Sequence, residues 1–259
     1  MESKKNTLII IPSETRNIDL TYDNLKKYII KPNNADIGCF ISEDCPLTDI
    51  ETDSKYVFKL PEYNDHIDGL FNELKFISKE SINKIKKRTM TSYQKSTFIH
   101  VYYRLFILRM LKENNLIDKY DWFIINRSDL KHTLEINVEE LDEKSVYLPN
   151  GEFYYGLPDR FAIISKKNIE DWLNIFNEEH FIEFHKIIKP SQGDSNIFGP
   201  EKMTKYNKEK KNINIKFIKY SFFCVKKNDG QQTNIGSSFY HKELDLIIKY
   251  KKEYYEAIK

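Results

Sequence analysis

Short apolar runs, each cut off by proline or polar residues, recur along this chain and predict its strands. The densest is Trp122-Phe123-Ile124-Ile125: four large residues, aromatic and β-branched, too few for a free-standing helix. Such a run suits a strand buried on both faces, as parallel sheets require. It breaks into Asn126-Arg127-Ser128-Asp129, which places a carboxylate at the strand's carboxyl end, the edge where open α/β folds bind ligands. Upstream, Thr7-Leu8-Ile9-Ile10-Ile11 is a strand stopped by Pro12. Leu20 to Ile30 has helical spacing and is expected to end before Pro32. Asp36 to Ile41 and Lys55 to Leu60 are a second and a third strand. Strand, helix, strand, strand is how a mononucleotide-binding α/β half begins.

Residues 66–117 read as mainly helical. Ile67, Leu70, Phe71, Leu74 and Ile77 share one face, and a second helix from about Ser96 to Asn114 is apolar around much of its girth. Arg104 and Arg109 interrupt it, most simply as surface charges with packed stems, and His100 reads as a packed core residue. Lys131 to Lys144 is a polar interlude. Ser145-Val146-Tyr147-Leu148-Pro149 and Phe161-Ala162-Ile163-Ile164 are short strands around a Gly/Pro loop, and Ser165 is placed to cap a helix from Lys166 to Phe176. A helix follows near Glu201 to Lys211, then a partly alternating stretch from Ile213 to Val225. His241 to Lys259 reads as one lysine-rich amphipathic helix, expected to dock on its own domain, with peripheral membrane contact as the alternative. The expected organisation is one α/β domain over residues 1–230 and a helical tail over 231–259.

At 259 residues the chain can bury one substantial core, and 14% aromatics, with 17 Tyr and 17 Phe, argue against disorder. Lys+Arg 41 against Asp+Glu 39 leaves +2, which gives no general attraction to nucleic acid. Cys39, Cys45 and Cys224 are odd in number and lack CxxC spacing, so neither a disulfide framework nor a zinc site is expected. No apolar stretch approaches the ~20 residues of a membrane span. The expectation is a soluble cytoplasmic protein.

No P-loop, GxGxxG, HExxH or nucleophile elbow is present, and the six histidines are scattered. What remains is carboxylates and arginines at the carboxyl ends of strands. Asp129 follows the buried strand, Ser13 and Arg16 follow the first, and Ser42 follows the second. Asp159 sits in a Gly-Leu-Pro-Asp-Arg turn before a strand.

Tyr-Asp-Trp-Phe-Ile-Ile-Asn-Arg-Ser-Asp-Leu (120–130) resembles the YDxxIRxRxDL segment of a glycosyltransferase family of bacteria and large DNA viruses. Val146-Tyr147-Leu148-Pro149-Asn150, running on to Gly156-Leu157-Pro158-Asp159-Arg160-Phe161-Ala162-Ile163, is similar to that family's xIYxPN…GxxDRFAIxS block. Phe223 to Gly230 is a weaker match to its closing xxRVRxDG strand, and the Ser13…Arg16 loop stands where SGQxR would, without its Gly and Gln. The resemblance covers most of residues 7–230.

The resemblance implies a single GT-A-like, Rossmann-type α/β/α domain with a mostly parallel central sheet. It implies a nucleotide-diphosphate sugar donor over the first β–α half, a glycan acceptor, and hexosyl or deoxyhexosyl transfer. It further implies Mn²⁺ or Mg²⁺ held at a DxD motif, of which Asn126-Arg127-Ser128-Asp129 keeps only the last carboxylate. Asp129 is then the metal ligand. Ser13, Arg16, Ser42, Arg104 and Arg127 are the residues on the nucleotide side, and Asp159 is the catalytic base or acceptor anchor. On this reading Asp129→Asn keeps the fold. Two other classes stay open: a non-catalytic nucleotide-sugar- or glycan-binding relative, and a nucleotidyltransferase, which would need a second metal-binding carboxylate.

Overall fold

In the computed structural model, residues 5–12, 15, 17–45, 48–61, 92–151, 153, 156–175, 200–228 and 237–259 are described. β1 (Thr7–Pro12) leads into α1 (Ile18–Leu25), whose ladder widens to a π-helix over Lys26–Ile30 and closes with a last turn, Lys31–Asn33. The helix therefore runs through Pro32 instead of ending before it. Proline is tolerated in the first turn of a helical segment, and the change of ladder puts Pro32 in one. What stops the helix is Asn34 in the left-handed conformation (φ 47°), a role that asparagine fills more readily than most residues.

β2 (Asp36–Ser42), α2 (Asp49–Asp53) and β3 (Tyr56–Leu60) follow. The predicted helix face Ile67–Ile77 lies outside the described residues. Next come α3 (Ser92–Glu113), α4 (Leu116–Lys119), β4 (Trp122–Asn126) and β5 (Leu130–His132). β6 (Ser145–Pro149), β7 (Phe161–Ser165), α5 (Ile169–Leu173) and α6 (Pro200–Lys211) form the next group. The chain closes with β8 (Asn214–Ile218), β9 (Phe222–Lys226), β10 (Phe239–His241), β11 (Leu246–Ile248) and α7 (Lys251–Ala257).

Seven strands make the central sheet in the order β3-β2-β1-β4-β7-β6-β8. Six run the same way; β7 alone is antiparallel to its neighbours β4 and β6. The α/β class and the mostly parallel sheet thus stand as expected. β1 and β4 are buried on both sides, and their alternation splits the core in two. Leu8, Ile10, Phe123 and Ile125 face α3, α5 and α6, packing with Phe106, Trp172 and Met203. Ile9, Ile11, Trp122 and Ile124 face α1 and a four-stranded sheet of order β10-β11-β9-β5, packing with Leu25, Phe222 and Ile248.

Three expectations fail on this second layer and its surroundings. The polar interlude after residue 130 contains β5, paired antiparallel with β9, and three residues are too few to show a period. Ser165 ends β7 rather than capping a helix: its hydroxyl donates to the Glu143 carbonyl at 2.6 Å, and Asn168 precedes α5. The tail is not one helix. Asp245 takes a positive φ of 50°, Leu246–Ile248 pairs with β9, and helix is confined to Lys251–Ala257. α7 packs against β9 with Glu253 and Ala257 buried. No helix among the described residues is long and apolar enough to cross a membrane.

Ile248 is fully buried in the core layer on the β9 side. Ile248→Ala should therefore cost about 2–4 kcal/mol in urea denaturation, as for other buried aliphatic truncations. A change within about 0.5 kcal/mol, usual for surface positions, would show that the tail does not share the core.

Candidate functional site at the carboxyl edge of the sheet

The strand order reverses between β1 and β4, and in open α/β sheets the crevice outside the carboxyl ends at such a switch point is where ligands sit. β7 is antiparallel, so its entrance lies at this same edge: Asn126 is the register partner of Phe161, and the Arg127 N–H meets the Arg160 carbonyl at 3.3 Å. The turns carrying Arg127–Asp129 and Asp159–Arg160 are thereby brought together. The Thr21 hydroxyl donates to the Ser128 carbonyl at 2.6 Å, tying α1 to the turn after β4. Ser42 ends β2 at the same edge. Ser13 and Arg16 lie outside the described residues, although their neighbour Thr15 is buried with its hydroxyl 3.1 Å from the Cys45 sulfur.

Asp129 is 2% exposed, and cations hold both of its oxygens. Arg127 donates from Nε to Oδ1 at 3.0 Å and from Nη2 to Oδ2 at 2.7 Å, while Lys249 Nζ donates to Oδ2 at 2.5 Å. The Asp129 carbonyl also accepts the Val225 N–H at 2.9 Å. Burial alone would raise the pKa of this carboxyl. The Arg127 and Lys249 charges outweigh that and bring it to about 2.

This arrangement does not suit the Mn²⁺ or Mg²⁺ that the resemblance implies. Hard divalent ions want carboxylate and water oxygens. Here the flanking positions are Asn126 and Ser128, and the Asn126 side-chain oxygen is 2.8 Å from His132 Nε2. One carboxylate already balanced by two cations would give a further double charge a net repulsion.

A second group surrounds Asp159. His100 Nδ1 is 3.6 Å from Asp159 Oδ2. Burial works against the charge of Asp159, yet His100, Arg104, Arg127 and Arg160 together keep its pKa below the usual value. Arg104, expected on the surface, is 7% exposed and lies over Trp172 at 5.5 Å. Its Nη1 is buried without a hydrogen-bond partner among the described residues. Arg109 does lie on the surface, 3.6 Å from Glu113. Arg160, 8% exposed, donates to Glu253 at 3.1 Å and stacks on Tyr250 at 4.4 Å.

Two residues of this site escaped sequence reading. Glu201 opens α6, and its carboxyl is pushed to about 7, first by burial and then by the negative charge of Asp159. Gly156 brings it there. A Cβ at Gly156 would lie 2.0 Å from the Glu201 carbonyl carbon, and the Leu157 N–H bonds to the Glu201 carbonyl at 2.9 Å. The other is Lys249, 120 residues away from Asp129 in a tail read as helix.

Two cavities lie among the described residues, one of them lined by Tyr250 and Glu253, the partners of Arg160. One of about 520 Å³ is lined by Asn150, Phe153, Tyr220, Tyr250 and Glu253 among others, a mixture of aromatic faces and polar groups. The other, about 320 Å³, lies between the starts of α1 and α2, lined by Ile18, Tyr22, Thr48 and Ile50 and by the acidic residues Asp19, Asp23 and Asp49. Compared with known proteins, the chain matches no family model and no curated protein.

The clamp makes Asp129 structural as well as chemical, so an Asp129→Asn chain that keeps the fold should still lose stability. Removing one member of a buried ionic group leaves the others uncompensated, and a loss of about 3 kcal/mol is expected at neutral pH. A depressed carboxyl pKa contributes stability above the unfolded value of about 4 and loses it as pH falls toward the folded value. The gap between wild type and Asp129→Asn in urea denaturation should therefore be constant near neutrality and narrow between about pH 4 and about pH 2. A gap that ignores pH would contradict the clamp.

Proposed function

We propose that this chain is a glycosyltransferase with a GT-A-type fold, moving a hexosyl or deoxyhexosyl group from a nucleoside-diphosphate sugar to a glycan hydroxyl. The observation that carries the reading is the set of three arginines, Arg104, Arg127 and Arg160, gathered with Lys249 at the carboxyl edge of the β1/β4 switch point. Guanidinium groups meet phosphate bidentately and hold their charge when buried, which suits them to a diphosphate leaving group. The motif resemblance points to the same donor. The 320 Å³ cavity beside α1 and α2, whose Asp19, Asp23 and Asp49 accept hydrogen bonds and repel phosphate, suits the ribose and base rather than the diphosphate. The 520 Å³ cavity, with its aromatic faces, fits a sugar acceptor.

In this reading the acceptor oxygen bonds to the anomeric carbon while the bond from that carbon to the diphosphate oxygen breaks. The diphosphate leaves with the electron pair, and the arginines stabilise the charge it gains. The acceptor hydroxyl must lose its proton. Two carboxyls with pKa values pushed apart divide that work. Asp159, kept ionised by its cationic neighbours, orients the acceptor; Glu201, titrating at about 7, is matched to take the proton. Of the two roles that the resemblance implies for Asp159, base or acceptor anchor, this reading keeps the anchor and gives the base role to Glu201.

The test is sugar transfer from a panel of nucleotide sugars to glycan acceptors, read by mass spectrometry. Glu201→Gln should lower transfer by roughly 10²–10⁴-fold and abolish the acid limb near pH 7 while donor binding persists. Asp159→Asn should raise the acceptor KM and move that limb to lower pH without abolishing it, because the negative charge that helps to raise Glu201 is gone while burial remains. Donor binding without turnover in wild type would point instead to a non-catalytic nucleotide-sugar-binding relative. No donor binding at all would sink both.

A further inference from the structure

The cations on Asp129 are already in place and already close. Lys249 Nζ sits 2.5 Å from Asp129 Oδ2 and is held there by its own backbone, whose N–H bonds to the Cys224 carbonyl at 3.0 Å. Its side chain is 14% exposed, so it is neither a solvated surface lysine nor sealed off. An ammonium has three N–H donors, and among the described residues Asp129 takes one of them. Arg127 likewise spends Nε and Nη2 on Asp129, and the guanidinium has five donors in all. Asp129 thus orients two cations that still have donors to offer, and the sum of the three charges is positive. Arg104 adds a buried Nη1 with no acceptor among the described residues. A buried unsatisfied donor is costly unless a ligand completes it.

We propose that Lys249, together with Arg127, is a built-in counter-charge for a nucleoside diphosphate, standing at the place where a divalent cation would otherwise bridge protein carboxylate and phosphate. This rests on the nucleotide-sugar reading above and adds that binding needs no metal. Asp129 then has the role of aligning the two cations rather than of ligating an ion. Lys249 is a binding residue delivered by the tail, so the last strand and helix belong to the site.

The test is isothermal titration of the full chain with UDP, GDP, ADP and CDP, each with EDTA and with MnCl₂, and with the corresponding monophosphates. For the diphosphate that binds, Kd in EDTA and in Mn²⁺ should agree within about fivefold, far less than the change a bridging metal would produce. Lys249→Met should weaken that diphosphate by about tenfold or more, as expected for losing a charge-assisted contact, and leave the monophosphate little changed. Lys249→Arg should recover most of the loss. Tightening beyond about fivefold on adding Mn²⁺ would overturn the metal-free inference while leaving the nucleotide reading standing. Equal losses for mono- and diphosphate in a folded Lys249→Met would overturn the role of Lys249. If Lys249→Met does not fold, the metal response of wild type decides the matter. Absence of any nucleotide binding by wild type in either buffer would defeat the donor reading and this inference together.

Discussion

The carboxylate of Asp129, clamped between Arg127 and Lys249, is the interaction on which the rest of the edge depends. It sits where β4 ends, at the switch point of the sheet, and its two partners come from opposite ends of the second half of the chain. Arg127 is brought by the turn itself. Lys249 is brought by the pairing of β11 with β9, which in turn pairs with β5 just beyond Asp129. One ionic group thus fastens the small sheet to the large one. Its desolvation is tolerable because the carboxylate is satisfied on both oxygens and by geometry that leaves little choice of partner.

The same economy of charge extends across the edge. Arg160 is neutralised by Glu253 and Asp159 is balanced by arginines, but Arg104 has a donor with no acceptor among the described residues. The cluster therefore has positive character in a protein whose overall charge is only +2. That local excess, and not the total, decides what kind of ligand the edge attracts. The separation of Asp159 from Glu201 follows from the same distribution. The carboxyl nearer the cations is held ionised, and the one that feels burial and its neighbour's negative charge is pushed up toward neutrality.

The strands of the central sheet were legible because β1, β4 and β7 are buried on both faces, so each is written as an unbroken apolar run. The positions of Arg127, Asp129 and Asp159 were legible for a related reason: each sits where such a run begins or ends. The direction of β7 was not, since a short buried strand carries no mark of its polarity. Arg104 read as a surface charge because α3 is apolar around most of its girth, which leaves no polar face to show which side is inward. β5 and β11, at three residues each, fall below the length at which a period shows, and Leu246-Ile247-Ile248 fitted a helical stripe as well as a strand. Glu201 was hidden by its setting, a helix start in a lysine-rich stretch, and only the close approach allowed by Gly156 reveals what faces it.

The central claim is that the β1/β4 switch point, with its arginines and Lys249, holds the diphosphate of a sugar nucleotide. The most direct measurement is a crystal structure of the full chain soaked with the nucleoside diphosphate that binds best in solution. The account predicts phosphate oxygens within hydrogen-bond distance of Arg127 and Lys249, with the nucleoside toward α1 and α2. A nucleotide seated away from this edge, with the Asp129 clamp untouched and no phosphate near it, would contradict it.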